Sequence, residues 1–293
     1  MRIVFIGSVL FSKKMLEKLI ELKANVVGVI TKSQSEFNAD FDDLAPIAAT
    51  NYIPYKYVNN INHPGNINWI HDKKPDIIFC FGWSNLIKTE LLKLPPKGVI
   101  GFHPSMLPAN KGRHPLIWAK VLGLKETGST FFFMDEGADT GDILDQKKIT
   151  IDFEDTADIV YDKMIKTAIS QLDFFLPKLQ SDTYSRIPQS GIGNSLRKRN
   201  ATDGLIDFRM NSASICNLVR ALSYPYPGAH CYFNGTEIKI WDISLGPLKN
   251  ENFEPGKVVE VNENNITVKT ADGSVLLKKH TFQILPEVGD YIR

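Results

Sequence analysis

Apolar residues in the first half of the chain come in short unbroken runs, separated by stretches with helical spacing. Ile3 to Ile6 is one such run, ending at Gly7; Val26 to Ile30, Ile77 to Phe81 and Val99 to Phe102 are others. A run with no polar alternation reads as a strand buried on both faces. After the first run, Met15, Leu16, Leu19, Ile20 and Leu22 fall on the buried side of a helix. Such strands alternating with helices predict an α/β fold, a mostly parallel Rossmann-like sheet with helices on both faces. Asp155 to Leu176 reads as a long helix, with Ile165, Ile169, Leu172 and Leu176 in register and Pro177 as its stop. Asp155 and Asp158 lie in or near its first turn, where the helix dipole favours acids.

The pattern changes at Ser181. Residues 181–195 are rich in Ser, Gly, Pro and Gln and poor in apolar side chains, a linker composition. Ile215 to Leu222 reads as a short helix. Alternating runs follow: Ala229 to Phe233, Ile238 to Ile243, Lys257 to Val261, Ile266 to Thr270 and Val275 to Lys279. Asn234-Gly235, Asn264-Asn265 and Asp272-Gly273 are turn signals between them. The expected organisation is a first domain over 1–180, a linker over 181–199 and a smaller, mainly β domain over 200–293, of small-barrel type.

Composition narrows this picture. A chain of 293 residues predicts about two domains. With 34 Lys+Arg against 33 Asp+Glu the formal charge is +1, which argues against a broad basic field for holding nucleic acid. Cys80, Cys216 and Cys231 are scattered and odd in number, so neither a disulfide framework nor a structural zinc is expected, and a reducing cytoplasm fits. No run approaches about 18 apolar residues, so no membrane span is expected. Met1 to Gly7 is apolar too briefly for a secretory signal. The segment Gly7-Ser8-Val9-Leu10-Phe11 lacks G-x-G-x-x-G, so Gly7 reads as a turn glycine and not a dinucleotide site.

The chemistry concentrates between Val99 and Leu144. His103 follows an apolar strand at the end where open α/β sheets place their ligand crevices, and Pro104 and Pro108 stiffen the turn beyond it. A histidine held there can act as general acid, general base or oxyanion donor. Asp139, in a glycine-flanked turn, can orient His103 or take a proton. His63, His71, His230 and His280 are scattered and read as surface residues, and no cluster has metal-ligand spacing.

Together, His103-Pro104-Ser105-x-Leu107-Pro108, Gly112-Arg113-His114-Pro115 and Asp139-x-Gly141-Asp142 resemble the formyltransferase family. The 36 residues between His103 and Asp139 match its catalytic spacing. Arg197-Lys198-Arg199, Asp203 to Asp207, Asn217 to Ala221 and Pro225 to Gly228 extend the likeness into the family's second domain. The resemblance implies 10-formyltetrahydrofolate as co-substrate, no metal, and a formyltransferase catalytic domain over 1–180. It implies that Phe81, Gly82, Trp83, Ser84, Asn85, Leu86 and Ile87 line the folate, flanked by Met106 and Leu107. Ser105, Asn110, Lys111, Arg113, Arg197 and Arg199 then suit an anionic substrate. The family's triad is Asn-x-His with the distant Asp, and the Asn position here is Gly101. The glycine leaves room for a water or for an amide from Asn85 or Asn110, so a polar group is expected above its Cα, facing His103.

Two acceptor amines compete: methionyl-tRNA and a nucleotide-linked amino sugar. Transfer RNA needs basic surface. The family's tRNA enzymes carry a basic insertion where this chain has Thr31 to Asp43, with one Lys against four acids. From Asn200 onward nine bases stand against eleven acids, net −2. The run Asn110 to Trp118 also looks closer to the sugar enzymes. The partner expectation is therefore a nucleotide-linked amino sugar, dTDP- or UDP-linked. Membrane and nucleic acid are disfavoured, and a homodimer is left open.

Overall fold

A computed structural model describes residues 1–35, 39–247 and 252–293. Glu36 and Phe37 of the acidic loop, and Lys249 and Glu251 of the second domain's charge count, lie outside the described residues. Residues 1–112, 128–149 and 163–195 form one compact unit, and residues 113–127, 150–162 and 196–293 form another.

The first half runs β1 (Ile3–Ile6), α1 (Leu10–Glu21), β2 (Val26–Thr31), α2 (Ala45–Thr50), β3 (Tyr55–Tyr57), α3 (Pro64–Asp72), β4 (Ile77–Cys80), α4 (Thr89–Leu92) and β5 (Val99–His103). There follow β6 (Lys111–Gly112), α5 (Pro115–Val121), β7 (Glu126–Phe133), β8 (Ile143–Thr150), α6 (Ala157–Gln180) and β9 (Ser195–Leu196). Seven strands form one sheet in the order β3-β2-β1-β4-β5-β7-β8. The pairs β1–β2, β1–β4, β2–β3 and β4–β5 are parallel and β5–β7 is antiparallel, so the sheet is mostly parallel, as expected.

Both faces are covered, which is why β1 and β4 are apolar at every position. One face stacks Phe5, Phe79, Phe81 and Phe131 against Phe175 of α6. The other packs Val4, Ile6, Ile78 and Val99 with Ile70 of α3 and Leu91 of α4. The chain leaves β1 toward β2 and β3, then returns to β4 on the opposite side. The carboxyl ends of β1 and β4 thus form a topological switch point, where ligands of such sheets bind.

α6 runs past Pro177, which the sequence pattern takes as its stop. Proline withdraws a single N–H, and bonding resumes one turn on, with Ser181 N donating to Pro177 O at 3.0 Å.

In the second unit α5 and α7 (Ser212–Ala221) share a core with β10 (Ala229–Phe233), β11 (Thr236–Leu245), β12 (Val258–Asn262), β13 (Asn265–Lys269) and β14 (Ser274–His280). These strands form a sheet in the order β10-β11-β14-β13-β12. Its end strands, β10 and β12, do not pair directly among the described residues, but residues 290–293 bridge them: Val258 N donates to Asp290 O at 2.8 Å on β12, and Arg293 N donates to Tyr232 O at 2.9 Å on β10, which curls the sheet toward the expected small barrel. Asn234 and Gly235 both take positive φ, the twist that a two-residue hairpin turn requires. In the β12–β13 hairpin the turn is Glu263-Asn264, one residue earlier than read from sequence, because Asn265 already pairs with Asn262. His63 and His71 are exposed, but His230 is buried on β10, edge-on to Tyr232.

Candidate active site

His103 is the last residue of β5 and is 5% exposed. Both ring nitrogens face acceptors. Nε2 lies 2.8 Å from the carbonyl oxygen of Asn110, and Nδ1 lies 3.4 Å from Asp139 Oδ2. A carbonyl only accepts, so Nε2 carries a proton in this arrangement, and the ring donates to both partners only when doubly protonated. Asp139 Oδ2 also accepts from Gly112 N at 3.0 Å. The two residues that the sequence pairs across 36 positions are thus adjacent.

Gly101 departs from expectation. A β-carbon there would lie 2.8 Å from Met134 Cγ and 3.0 Å from the Phe132 ring. The space above its Cα is filled and apolar, so neither a water nor an amide occupies it. Asn85 donates instead to Asn59 O at 3.2 Å, and Asn110 offers His103 its main-chain carbonyl rather than an amide donor.

The turn after His103 is braced from within. Ser105 is buried; its hydroxyl donates to Ala109 O at 2.7 Å and its carbonyl accepts from Thr130 Oγ1 at 2.6 Å. Leu107 packs with Phe132 and Ile143. Met106 lies so close to Gly128 that a β-carbon there would stand 2.6 Å from its Sδ. Ser105 and Leu107 are committed to the protein interior, while Met106, Asn110 and Lys111 are half-buried.

The loop after β4 has a different character. Phe81 and Ile87 are core residues. Gly82, at φ +66, sits where a β-carbon would meet Val9 Cγ2 at 2.2 Å, which brings this loop close to the β1–α1 turn. Trp83 is half-buried with Lys32 Nζ 4.9 Å over its ring, and its buried Nε1 has no acceptor among the described residues. Ser84 is half-buried and Asn85 exposed. Leu86 is 64% exposed, and its carbonyl accepts from Asn62 Nδ2 at 2.8 Å.

Arg113, Arg197 and Arg199 belong to the second unit. The Arg197 and Arg199 guanidiniums lie 5.2 and 4.7 Å from the Trp118 ring, whose Nε1 donates to Arg197 O at 2.9 Å. Arg197 pairs with Asp203 and holds that carboxyl far below the usual carboxylate range. Arg199 is 9% exposed, and burial lowers its affinity for its proton. His114 is pushed down first by burial and then by Arg113, Arg199 and Lys198.

Sequence reasoning missed His114 in this cluster, although its position between Arg113 and Pro115 was legible. It also missed Gln189 and Asn194, whose side chains bond the Asp139 and Asn110 loops. Among the described residues no group of three or more His, Cys, Asp and Glu side chains is placed to hold a metal ion, and no helix is long and apolar enough to cross a membrane.

Comparison with known proteins agrees with this architecture. The formyl transferase family model matches residues 1–172, and the formyl transferase C-terminal domain model matches residues 198–284. A methionyl-tRNA formyltransferase of Desulforamulus reducens is 33% identical over 291 residues, covering 97% of this chain and 90% of that protein. The structure of WlaRD, a sugar 3N-formyl transferase in the presence of dTDP and 5-N-formyl-THF, superposes with a TM-score of 0.70 at 23% identity, covering 97% of this chain and 99% of that one. An N-formyltransferase from Helicobacter canadensis, in complex with folinic acid and dTDP-3-aminofucose, gives a TM-score of 0.71 at 22% identity over 94% of this chain and 98% of that one. With both of its domain models matched and a relative of this identity spanning nearly all of it, the chain belongs to the formyl transferase family.

Proposed function

We propose that this chain is a cytoplasmic N-formyltransferase that moves the formyl group of 10-formyltetrahydrofolate to the amine of a dTDP- or UDP-linked amino-deoxy sugar. The product would serve a surface polysaccharide such as lipopolysaccharide O-antigen. One observation carries the choice of acceptor: charge. The Thr31–Asp43 segment and the chain from Asn200 are both net acidic, which opposes the phosphate contacts that tRNA needs. In the structure Asp42 pairs with Lys13 at 3.1 Å and Asp43 accepts from Tyr57 at 2.8 Å. Arg209 and Lys239 are likewise paired, with Asp207 and Glu237.

The Phe81–Ile87 loop suits a folate ring. It offers an exposed Leu86, the Trp83 face and a buried Trp83 N–H with no acceptor among the described residues. When bound, the folate supplies the activated formyl carbon. His103 is the side-chain donor left at the end of β5, since Gly101 brings none; its Nε2–H, which here donates to Asn110 O, would turn to the developing oxyanion and carry a proton. Asp139 would orient its ring. Arg113, Arg197 and Arg199 of the second unit would meet the anionic nucleotide.

A second reading, methionyl-tRNA as acceptor, is favoured by the Desulforamulus relative. Incubating the purified chain with formylfolate and a panel of dTDP- and UDP-amino sugars, with charged initiator tRNA alongside, decides between them. Formylation of tRNA alone would overturn the sugar reading.

A further inference from the structure

We propose that residues 189–195, read from sequence as linker, form a positioning strap for the candidate catalytic pair, with Gln189 and Asn194 as the positioning residues. The inference rests on the reading of His103 and Asp139 as the reacting groups.

Each ring nitrogen of His103 faces an acceptor carried on a different loop, Asn110 O on one and Asp139 Oδ2 on the other. Each loop has bonds of its own, Ser105 Oγ donating to Ala109 O in one and Thr140 Oγ1 donating to Asp135 Oδ1 in the other. Asp139 and Asn110 hold φ of +57° and +58°, a conformation that a β-carbon disfavours. The strap bonds to both. Gln189 Nε2 donates to the carbonyls of Asp139 and Gly141, at 2.9 and 2.8 Å. Asn194 clasps Asn110 reciprocally: Asn110 N donates to Asn194 Oδ1 at 2.7 Å, and Asn194 Nδ2 donates to Asn110 Oδ1 at 3.0 Å. Lys111 N adds a bond to Asn194 O at 3.0 Å. Between the two anchors the strap approaches the turn after His103 at Gly193, where a β-carbon would stand 2.6 Å from Pro108 O. The strap therefore sets where the two acceptors of His103 stand. Displacement of a reacting group by about 1 Å costs on the order of a hundredfold in rate, so the strap acts on turnover more than on binding.

The test uses the full chain in four forms: wild type, Asn194→Ala, Asn194→Asp and Gln189→Met. The first readout is the exchange rate of the His103 Nε2–H, from NMR on protein labelled with ¹⁵N-histidine, which needs no substrate. The second is kcat and KM for formyl transfer, with circular dichroism to confirm folding. Asn194→Ala is expected to speed exchange of the ring N–H about tenfold and to lower kcat at least about tenfold, with KM for formylfolate within about twofold. Asn194→Asp keeps the acceptor for Asn110 N–H and should recover part of both. Gln189→Met, which acts on Asp139, should lower kcat while leaving Nε2–H exchange near wild type. Wild-type exchange and kcat in folded Asn194→Ala would overturn the strap. So would a loss of kcat that only tracks loss of folded protein. If Asn194→Ala does not fold, Asn194→Asp and Gln189→Met carry the test. If the wild type formylates neither amino sugars nor tRNA, the proposed function fails, while the exchange rates still decide the strap.

Discussion

Replacing Gly101 with asparagine would restore the side chain that the family places two residues before its histidine, and here it should cost stability without aiding catalysis. The new β-carbon would lie 2.8 Å from Met134 Cγ and 3.0 Å from the Phe132 ring. Phe132 is 3% exposed and packs with Leu107 and Ile143, so it cannot swing aside. Gly101 has ordinary strand pairing to Cys80 and Phe132 and no positive φ, so the backbone accepts any residue. Reduced freedom of the unfolded chain even favours the substitution by about 0.4–1 kcal/mol. Overpacking a filled interior opposes it by about 1–3 kcal/mol. The net expectation is a destabilisation of up to about 2.6 kcal/mol. Met134→Ala opens the space that the introduced amide side chain needs, so the double variant should lose at least about 1 kcal/mol less than the two singles combined. Native-state hydrogen exchange on peptides covering β5 and β7 reads the local opening free energy directly. Additivity within about 0.5 kcal/mol would refute the steric argument. A rise in kcat of about a hundredfold in Gly101→Asn would refute it from the other side, by showing a site that lacked only its donor.

Three further outcomes follow from the same geometry. His103→Ala and Asp139→Ala should each lower kcat at least about a hundredfold with the fold intact by circular dichroism, and near-normal turnover in either would remove that residue from the reacting pair. Initiator tRNA should bind no tighter than about 10⁻⁴ M at physiological salt, and a micromolar, salt-sensitive complex would reverse the choice of acceptor. Lys120 is 1% exposed and donates to the carbonyls of Asp152 and Phe153, and burial and then Arg220 push it down to about 8 from 10.5. Between those values the unfolded chain binds the extra proton, so stability rises with pH through that window. Wild type should therefore gain about 2 kcal/mol on Lys120→Met between about pH 7.5 and 9.5 in urea denaturation, and parallel pH curves would contradict this.

The sequence by itself determined the sheet and one end of the site. Ile3–Ile6 and Ile77–Cys80 are apolar at every position because both faces of a covered sheet exclude water, and that requirement is written in neighbouring residues. His103 was legible as a strand-end residue for the same reason, and the motif spacing linked it to Asp139. Tertiary structure alone decided what surrounds them. The emptiness expected above Gly101 is filled by Phe132, brought opposite it by the β5–β7 pairing, a register that no local pattern encodes. The Ser- and Gly-rich stretch after α6 looked like a passive linker, because its contacts are amide-to-backbone bonds that span 84 residues at Asn194 and leave no hydrophobic period. Burial repeats along a helix or strand and so marks the sequence. A polar clasp between distant loops uses single residues with no repeat, and only the fold shows which loops meet.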